Sequence, residues 1–314
     1  MSRLHFVMQH REFVVDIKNM VSVTRILKLA AAVLILLAVS LSAQTDSTAK
    51  PEKVRPEIAI TFDELPAAQT FGPVDAKAIS YMILEALKKY NVKATGFVIG
   101  QNIGDDADVL GDWLNAGHKL GSMTFSNQDI NELDPENYVK EIRTGSDEIE
   151  DILSNFGQTT RYFRYPFLHY GQSSHIKKAV GGYLDSKGII VAHATVVVED
   201  YLYDMQLQKF GKVPDSSEYM LLLDQYLNSI LDELERVEEV TMKVAGRPVK
   251  QILKLRCNRL NAMYLDDILN ALKAKGYRFI TLDAALKDPI YQQPESYTGT
   301  RGLGWVDMLA RSKK

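Results

Sequence analysis

Glu57-Ile58-Ala59-Ile60-Thr61-Phe62-Asp63-Glu64 is a short apolar run that ends in two acids. A run of this length, rich in β-branched and aromatic residues, reads as a strand inside a sheet, with both carboxylates at its C-terminal end. Downstream, short apolar runs alternate with amphipathic stretches. Ile79, Met82, Ile83, Ala86, Leu87 and Tyr90 recur at steps of three and one, which places them on one helix face within residues 75–90. Further strands are expected over 94–99, 119–125, 161–164, 189–198, 251–256 and 277–282. Helices are expected over 105–116, 135–156, 174–186, 216–238 and 262–274, the second of them opened by Pro135. This βα alternation predicts an α/β fold with a parallel sheet and outer helices, either a barrel or a doubly wound sheet. In a barrel, chemistry belongs to the C-terminal strand ends.

The 314 residues are 46% hydrophobic and 25% charged, values of an ordinary globular chain. One cysteine, Cys257, excludes a disulfide framework. A net charge of −3 gives no footprint for nucleic acid. Arg25 and Lys28 precede an apolar run over 29–41, followed by small residues. Residues 1–43 are therefore expected to be a secretory signal or an uncleaved anchor, with Met20 a candidate start. A membrane partner is expected only in the uncleaved case; the protein is otherwise periplasmic or secreted. Residues 44–56 read as a linker, 57–290 as one domain and 291–314 as a C-terminal extension.

The strand ends carry a particular series of residues. Strand one gives Ile60-Thr61-Phe62-Asp63-Glu64-Leu65-Pro66. The third gives Ala116-Gly117-His118-Lys119-Leu120-Gly121-Ser122-Met123-Thr124-Phe125-Ser126-Asn127-Gln128-Asp129-Ile130-Asn131. Next come Phe163-Arg164-Tyr165-Pro166-Phe167, Asp200-Tyr201 and Leu253-Lys254-Leu255-Arg256-Cys257-Asn258. In this order the series resembles the polysaccharide deacetylase family with the NodB-homology domain, over about residues 57–286. The resemblance implies a distorted (β/α) barrel. It also implies an Asp base at Asp63, an Arg at Arg164 that orients it, and a catalytic-site Asp at Asp200, where Asp200-Tyr201 is similar to the family's Asp-Trp pair. The family's divalent ion, usually zinc, is held by one Asp and two His, which fall on Glu64, Met123 and Asn127. The family's late acid His falls on Arg256.

Each of these replacements has a chemical consequence. A thioether is a soft, neutral donor, and an amide carbonyl is a poor zinc ligand. Arg256 cannot act as a general acid near neutral pH. Metal and acid are thus both missing, so no cofactor is expected. Two carboxylates without their ion need other positive charge. Arg256 is therefore expected to pair with Asp63, Glu64 or Asp200. By resemblance, the partner is an acetylated polysaccharide or cell-wall glycan, bound without metal-dependent turnover. An active deacetylase with a non-standard metal site and a protein-binding module stand as alternatives. Tyr165, Pro166, Phe167, His169, Tyr170 and Tyr201 are candidate sugar contacts, and mouth packing explains them equally well. His118 is expected to be packed and hydrogen-bonded, His193 to be a strand residue rather than a ligand, and Cys257 to be a small buried hydrophobe. Asn258 and Asn261 read as turn or cap residues.

Overall fold

The computed structural model describes residues 55–68, 75–210 and 216–312. The expected signal or anchor, and most of the linker, lie outside them. β1 (Glu57–Leu65) is the central strand. Alternation sends Ile58, Ile60 and Phe62 outward to the helices, where the Phe62 ring meets Trp113 edge-on at 5.5 Å. Thr61 and Asp63 point to the other face, where both meet Arg164. One edge of β1 takes β7 (Gln251–Arg256) along its length. The other edge is shared: residues 57–59 pair with β8 (Arg278–Ile280), and residues 61–65 with β2 (Thr95–Val98).

The sheet continues through β3 (Lys119–Ser122), β4 (Tyr162–Phe163) and β5 (Ile190–Val191). On its far side β7 pairs with β6 (Val196–Val197), and every pairing is parallel. The expected single strand over 189–198 is thus two short strands at opposite ends of the sheet order. Only residues 192–195 separate them, so the two ends must come together and the sheet curls into the distorted barrel. Three carbonyls in that crossover lie outside the strand ladders and find other donors. Ala192 O accepts from Arg164 Nε at 3.0 Å, His193 O from Arg164 Nη2 at 3.4 Å, and Ala194 O from Trp305 N at 2.7 Å.

The outer helices are α1 (Ala76–Lys89), α2 (Ala107–Asn115), α3 (Pro135–Ser154), α4 (Ser174–Ser186) and α5 (Asp200–Lys209). They are followed by α6 (Ser216–Ala245), α7 (Arg259–Ala274), α8 (Leu282–Leu286) and α9 (Trp305–Ser312). Side chains cap them where the sequence offers Asp, Ser, Asn or Thr: Asp75, Asp134, Ser173, Asn258 and Thr281 each accept a first-turn N–H. α6 runs past residue 238 because Val237 and Thr241 continue its buried stripe. α5 was not expected, since Leu207 is its only buried apolar side chain. The segment after 290 is part of the domain through residue 312. Its Trp305 ring stacks on His193 at 3.7 Å, and Asp307 accepts two bonds from Arg236 of α6.

Candidate functional site

Strain collects at the C-terminal ends of the strands. Outside glycine, positive φ occurs at Glu64, Thr124, Asn127, Phe167 and Leu168, all in strand-end segments, and otherwise only at Asn91 among the described residues. A left-handed β-branched residue such as Thr124 is sustained only by its surroundings. Here α3 presses on it: a Cβ on Gly145 would sit 2.3 Å from the Thr124 carbonyl carbon. Glu141 of the same helix accepts from Ser126 N and Oγ, each at 2.9 Å. The loop after β3 is thereby fixed from below.

Asp63 is 1% exposed and Arg164 is fully buried. Arg164 Nη1 donates to Asp63 Oδ1 at 2.9 Å and to Thr61 Oγ1 at 2.8 Å, and the guanidinium lies 4.3 Å from the Phe97 ring centroid. Asp63 Oδ2 is buried with no hydrogen-bond partner. Arg164 thus holds one oxygen of the carboxylate, leaves the other accepting, and bonds to the barrel seam.

Arg256 stands opposite. Its Nε donates to Glu64 Oε1 at 2.7 Å and its Nη1 to Asp200 Oδ1 at 2.5 Å. Its own backbone N–H donates to Asp200 Oδ2 at 2.7 Å, and the guanidinium lies 5.2 Å from the Tyr201 ring centroid. Asn261 Nδ2 donates a further bond to Asp200 Oδ2, while Tyr226 Oη donates to Asn261 Oδ1. Burial opposes the charge of Arg256, but Asp200 and Glu64 outweigh it and raise its pKa above the ordinary guanidinium value. Of the three expected carboxylate partners, Arg256 takes Glu64 and Asp200, and Asp63 goes to Arg164.

The residues present do not fit a zinc ion. Glu64 Oε1 and both Asp200 oxygens already accept from Arg256. The Met123 thioether is buried in the core, and Asn127 offers a neutral carbonyl, its Oδ1 buried and unbonded. No group of three or more His, Cys, Asp or Glu able to hold a metal occurs among the described residues.

The six candidate sugar contacts divide. Tyr165 is buried between Tyr138 and Phe163, Pro166 is buried, and Tyr170 is buried with its hydroxyl 2.9 Å from His193 Nδ1. These three are packing residues, because the loop after β4 turns inward to meet the C-terminal segment. Phe167 is 42% exposed, and His169 is half-buried with Nδ1 2.7 Å from Asp129 Oδ2. Tyr201 is half-buried beside Arg256.

The expectations for His118, Cys257 and Asn258 hold. His118 Nδ1 accepts from Ala94 N at 3.1 Å, and burial lowers its pKa to about 4, with Lys93 adding to the effect. His193, expected in a strand, lies instead in the crossover between β5 and β6, because the chain changes sheet edge there; burial lowers its pKa to about 3, aided by Arg164. Cys257 Sγ contacts Pro66 O at 3.2 Å, and burial raises the thiol pKa to about 12. Asn258 caps α7. Asn261, expected as a turn or cap residue, lies inside α7 and donates to Asp200 instead, and the sequence reading missed Thr61, Tyr226 and Asp129 as site residues. Thr61 shares the parity of Asp63, and Asn261 lies three residues after the cap Asn258, so both carried a signal. Tyr226 and Asp129 reach the site only through tertiary packing.

The sequence profile of the family described as Polysaccharide deacetylase matches residues 50–181. A peptidoglycan-N-acetylglucosamine deacetylase of Bacillus cereus is 30% identical over 112 residues, which are 35% of this chain and 36% of that protein. The chain therefore spans about a third of that relative's length. Among solved structures, the CE4 family pseudoenzyme BA3943 from Bacillus anthracis is similar with a TM-score of 0.51 and 17% identity, over 74% of this chain and 66% of that one. A chitin deacetylase from the fungus Colletotrichum lindemuthianum matches with a TM-score of 0.50 and 21% identity, over 75% and 89% of the two chains.

Proposed function

We propose that this chain, which belongs to the polysaccharide deacetylase family, binds an acetylated glycan without metal-dependent hydrolysis. One observation carries this reading: the Arg256 guanidinium is bonded to Glu64, the one carboxylate that falls on the family's ion ligands, and to the neighbouring Asp200. A guanidinium keeps its proton near neutral pH, so it neither activates water nor protonates a leaving amine. Met123 and Asn127 offer no compensating zinc ligands. Asp63 remains as a buried acceptor oriented by Arg164, and in this reading its open oxygen receives a hydroxyl or amide N–H of the ligand.

Phe167, His169 and Tyr201 supply the contact surface. A flat, exposed aromatic ring suits the apolar face of a sugar, and the His169–Asp129 pair supplies polar groups beside it. Relatives described as deacetylases of peptidoglycan and of chitin suggest a cell-wall or chitin-like polymer. In this reading residues 1–43 act as a signal or anchor, and the protein works in the periplasm or outside the cell.

The test uses purified protein, chitin oligosaccharides and peptidoglycan fragments. Binding with no acetate release is expected, and binding is expected to fall in Phe167→Ala. Acetate release that is lost in Asp63→Asn would overturn the reading. Exchanging Met123, Asn127 and Arg256 for His and Glu64 for Asp is expected to create zinc binding and acetyl release that the parent lacks.

A further inference from the structure

On β7, two residues before Arg256, stands Lys254. It pairs in register with Thr61 of β1 and with Val197 of β6, as Arg256 pairs with Asp63. Paired residues of parallel strands share a face, so Lys254 lies on the inner face that carries Thr61, Asp63 and Arg256. The residue is 3% exposed. It takes part in no ion pair or side-chain hydrogen bond among the described residues.

A lysine buried to this extent without a partner is rare, because its charge loses water and gains nothing directly. The surrounding charge supplies the reason. Asp63, Glu64 and Asp200 are three carboxylates at this end of the barrel; Arg164 and Arg256 pair with all three but bring only two positive charges. Asp204, the next buried acid, has its own surroundings: it accepts from Leu260 N and Gln208 Nε2, and Arg259 acts on it. Among the three carboxylates and two guanidiniums, one negative charge is left over, on the face that carries Lys254.

We infer that Lys254 is the third cation of the cleft, and that with Arg256 it supplies the positive charge a divalent ion would otherwise bring. The inference rests on the proposed metal-free reading and sharpens it. Two side-chain cations exclude the ion together: Arg256 takes the carboxylate oxygens, and Lys254 removes the residual negative field. With both neutralised, Asp63, Glu64 and Asp200 stand against Arg164 alone. The two uncompensated negative charges then draw a divalent cation to this end of the barrel electrostatically.

The experiment compares the unmodified protein, Lys254→Met, Arg256→Met and the double variant. Each is stripped with chelator, then titrated with calcium, magnesium or zinc by equilibrium dialysis and followed by thermal unfolding. The unmodified protein is expected to bind none of them stoichiometrically. Arg256→Met should bind weakly, and the double variant should bind about tenfold or more tightly than Arg256→Met, with a larger ion-dependent rise in Tm. A double variant that folds only with the ion present supports the inference equally. Lys254→Arg on the Arg256→Met background should remove the gain. The inference is overturned if Lys254→Met changes neither affinity nor the ion-dependent Tm in either background. Stoichiometric metal on the unmodified protein would instead overturn the metal-free reading itself, so the two failures are separable.

Discussion

Replacing Arg256 by Met is the most informative single perturbation of the cleft. Methionine keeps a flexible stem of similar length beside Tyr201, so the main losses are the charge and two charge-assisted hydrogen bonds. Asp200 has no exposed side-chain surface. It keeps the Arg256 backbone N–H and Asn261 on Oδ2, but its Oδ1 is left without a donor. Glu64 is 14% exposed and can turn partly to water. Removing one partner of a buried ion pair costs about 3–5 kcal/mol, and the surviving bonds to Asp200 place this case near the lower end, at about 3 kcal/mol. Asp200→Asn leaves Arg256 on Glu64 alone and should cost about 2 kcal/mol. The double variant removes both charges, so its loss should fall short of the sum by about 2 kcal/mol, within the range found for residues in direct contact. Urea unfolding in chelator-containing buffer, extrapolated linearly to water, reads all four stabilities. Additivity within about 0.5 kcal/mol would refute the pairing on which the argument depends.

Other outcomes are specific to single residues. Trp305→Ala removes the ring stacked on His193 at the seam and should lower stability by about 3–5 kcal/mol; a loss below about 1 kcal/mol would show that the C-terminal segment does not close the barrel. Phe167→Gly relieves a positive φ of 56° and should raise stability by about 1 kcal/mol while weakening glycan binding, so parallel shifts in Tm and affinity would contradict the assignment. The folded-state pKa of His118 is lowered from 6.5 to about 4, so between these values the unfolded chain binds the proton and the folded chain does not. Stability is therefore lost as pH falls through that window, by up to about 3 kcal/mol. His118→Asn, which can still accept from Ala94 N, should flatten the fall between pH 7 and 4.5 in urea midpoints; an unchanged slope would count against a buried neutral imidazole.

Strand and helix identities were legible where a single face is buried. Ile58, Ile60 and Phe62 on β1 and Ile79, Ile83 and Leu87 of α1 are local patterns that tertiary structure did not override, whereas Met82 of the expected α1 stripe is exposed. The crossover at 192–195 was not legible, because an apolar run of ten residues does not record a change of pairing partner partway along it. Arg256 was recognisable as a displaced cation from its place in the motif order, and Glu64 and Asp200 were among its expected partners. That Asp63 would instead take Arg164 depends on Thr61 and the seam carbonyls, which no spacing reveals. Tyr165 and Tyr170 looked like sugar platforms because aromatic residues at a strand end serve stacking and packing alike. Their environment is set by Trp305, 135 residues or more away in sequence, and by Tyr138. Lys254 drew no notice in an apolar strand, since register alone puts it on the face of the ionised residues.

Metal content tests the central claim most directly. The purified protein, equilibrated with zinc and passed through a desalting column, is analysed by mass spectrometry for bound metal. The account predicts far less than one equivalent, unchanged in Glu64→Gln. One equivalent of zinc retained by the parent and lost in Glu64→Gln would contradict it.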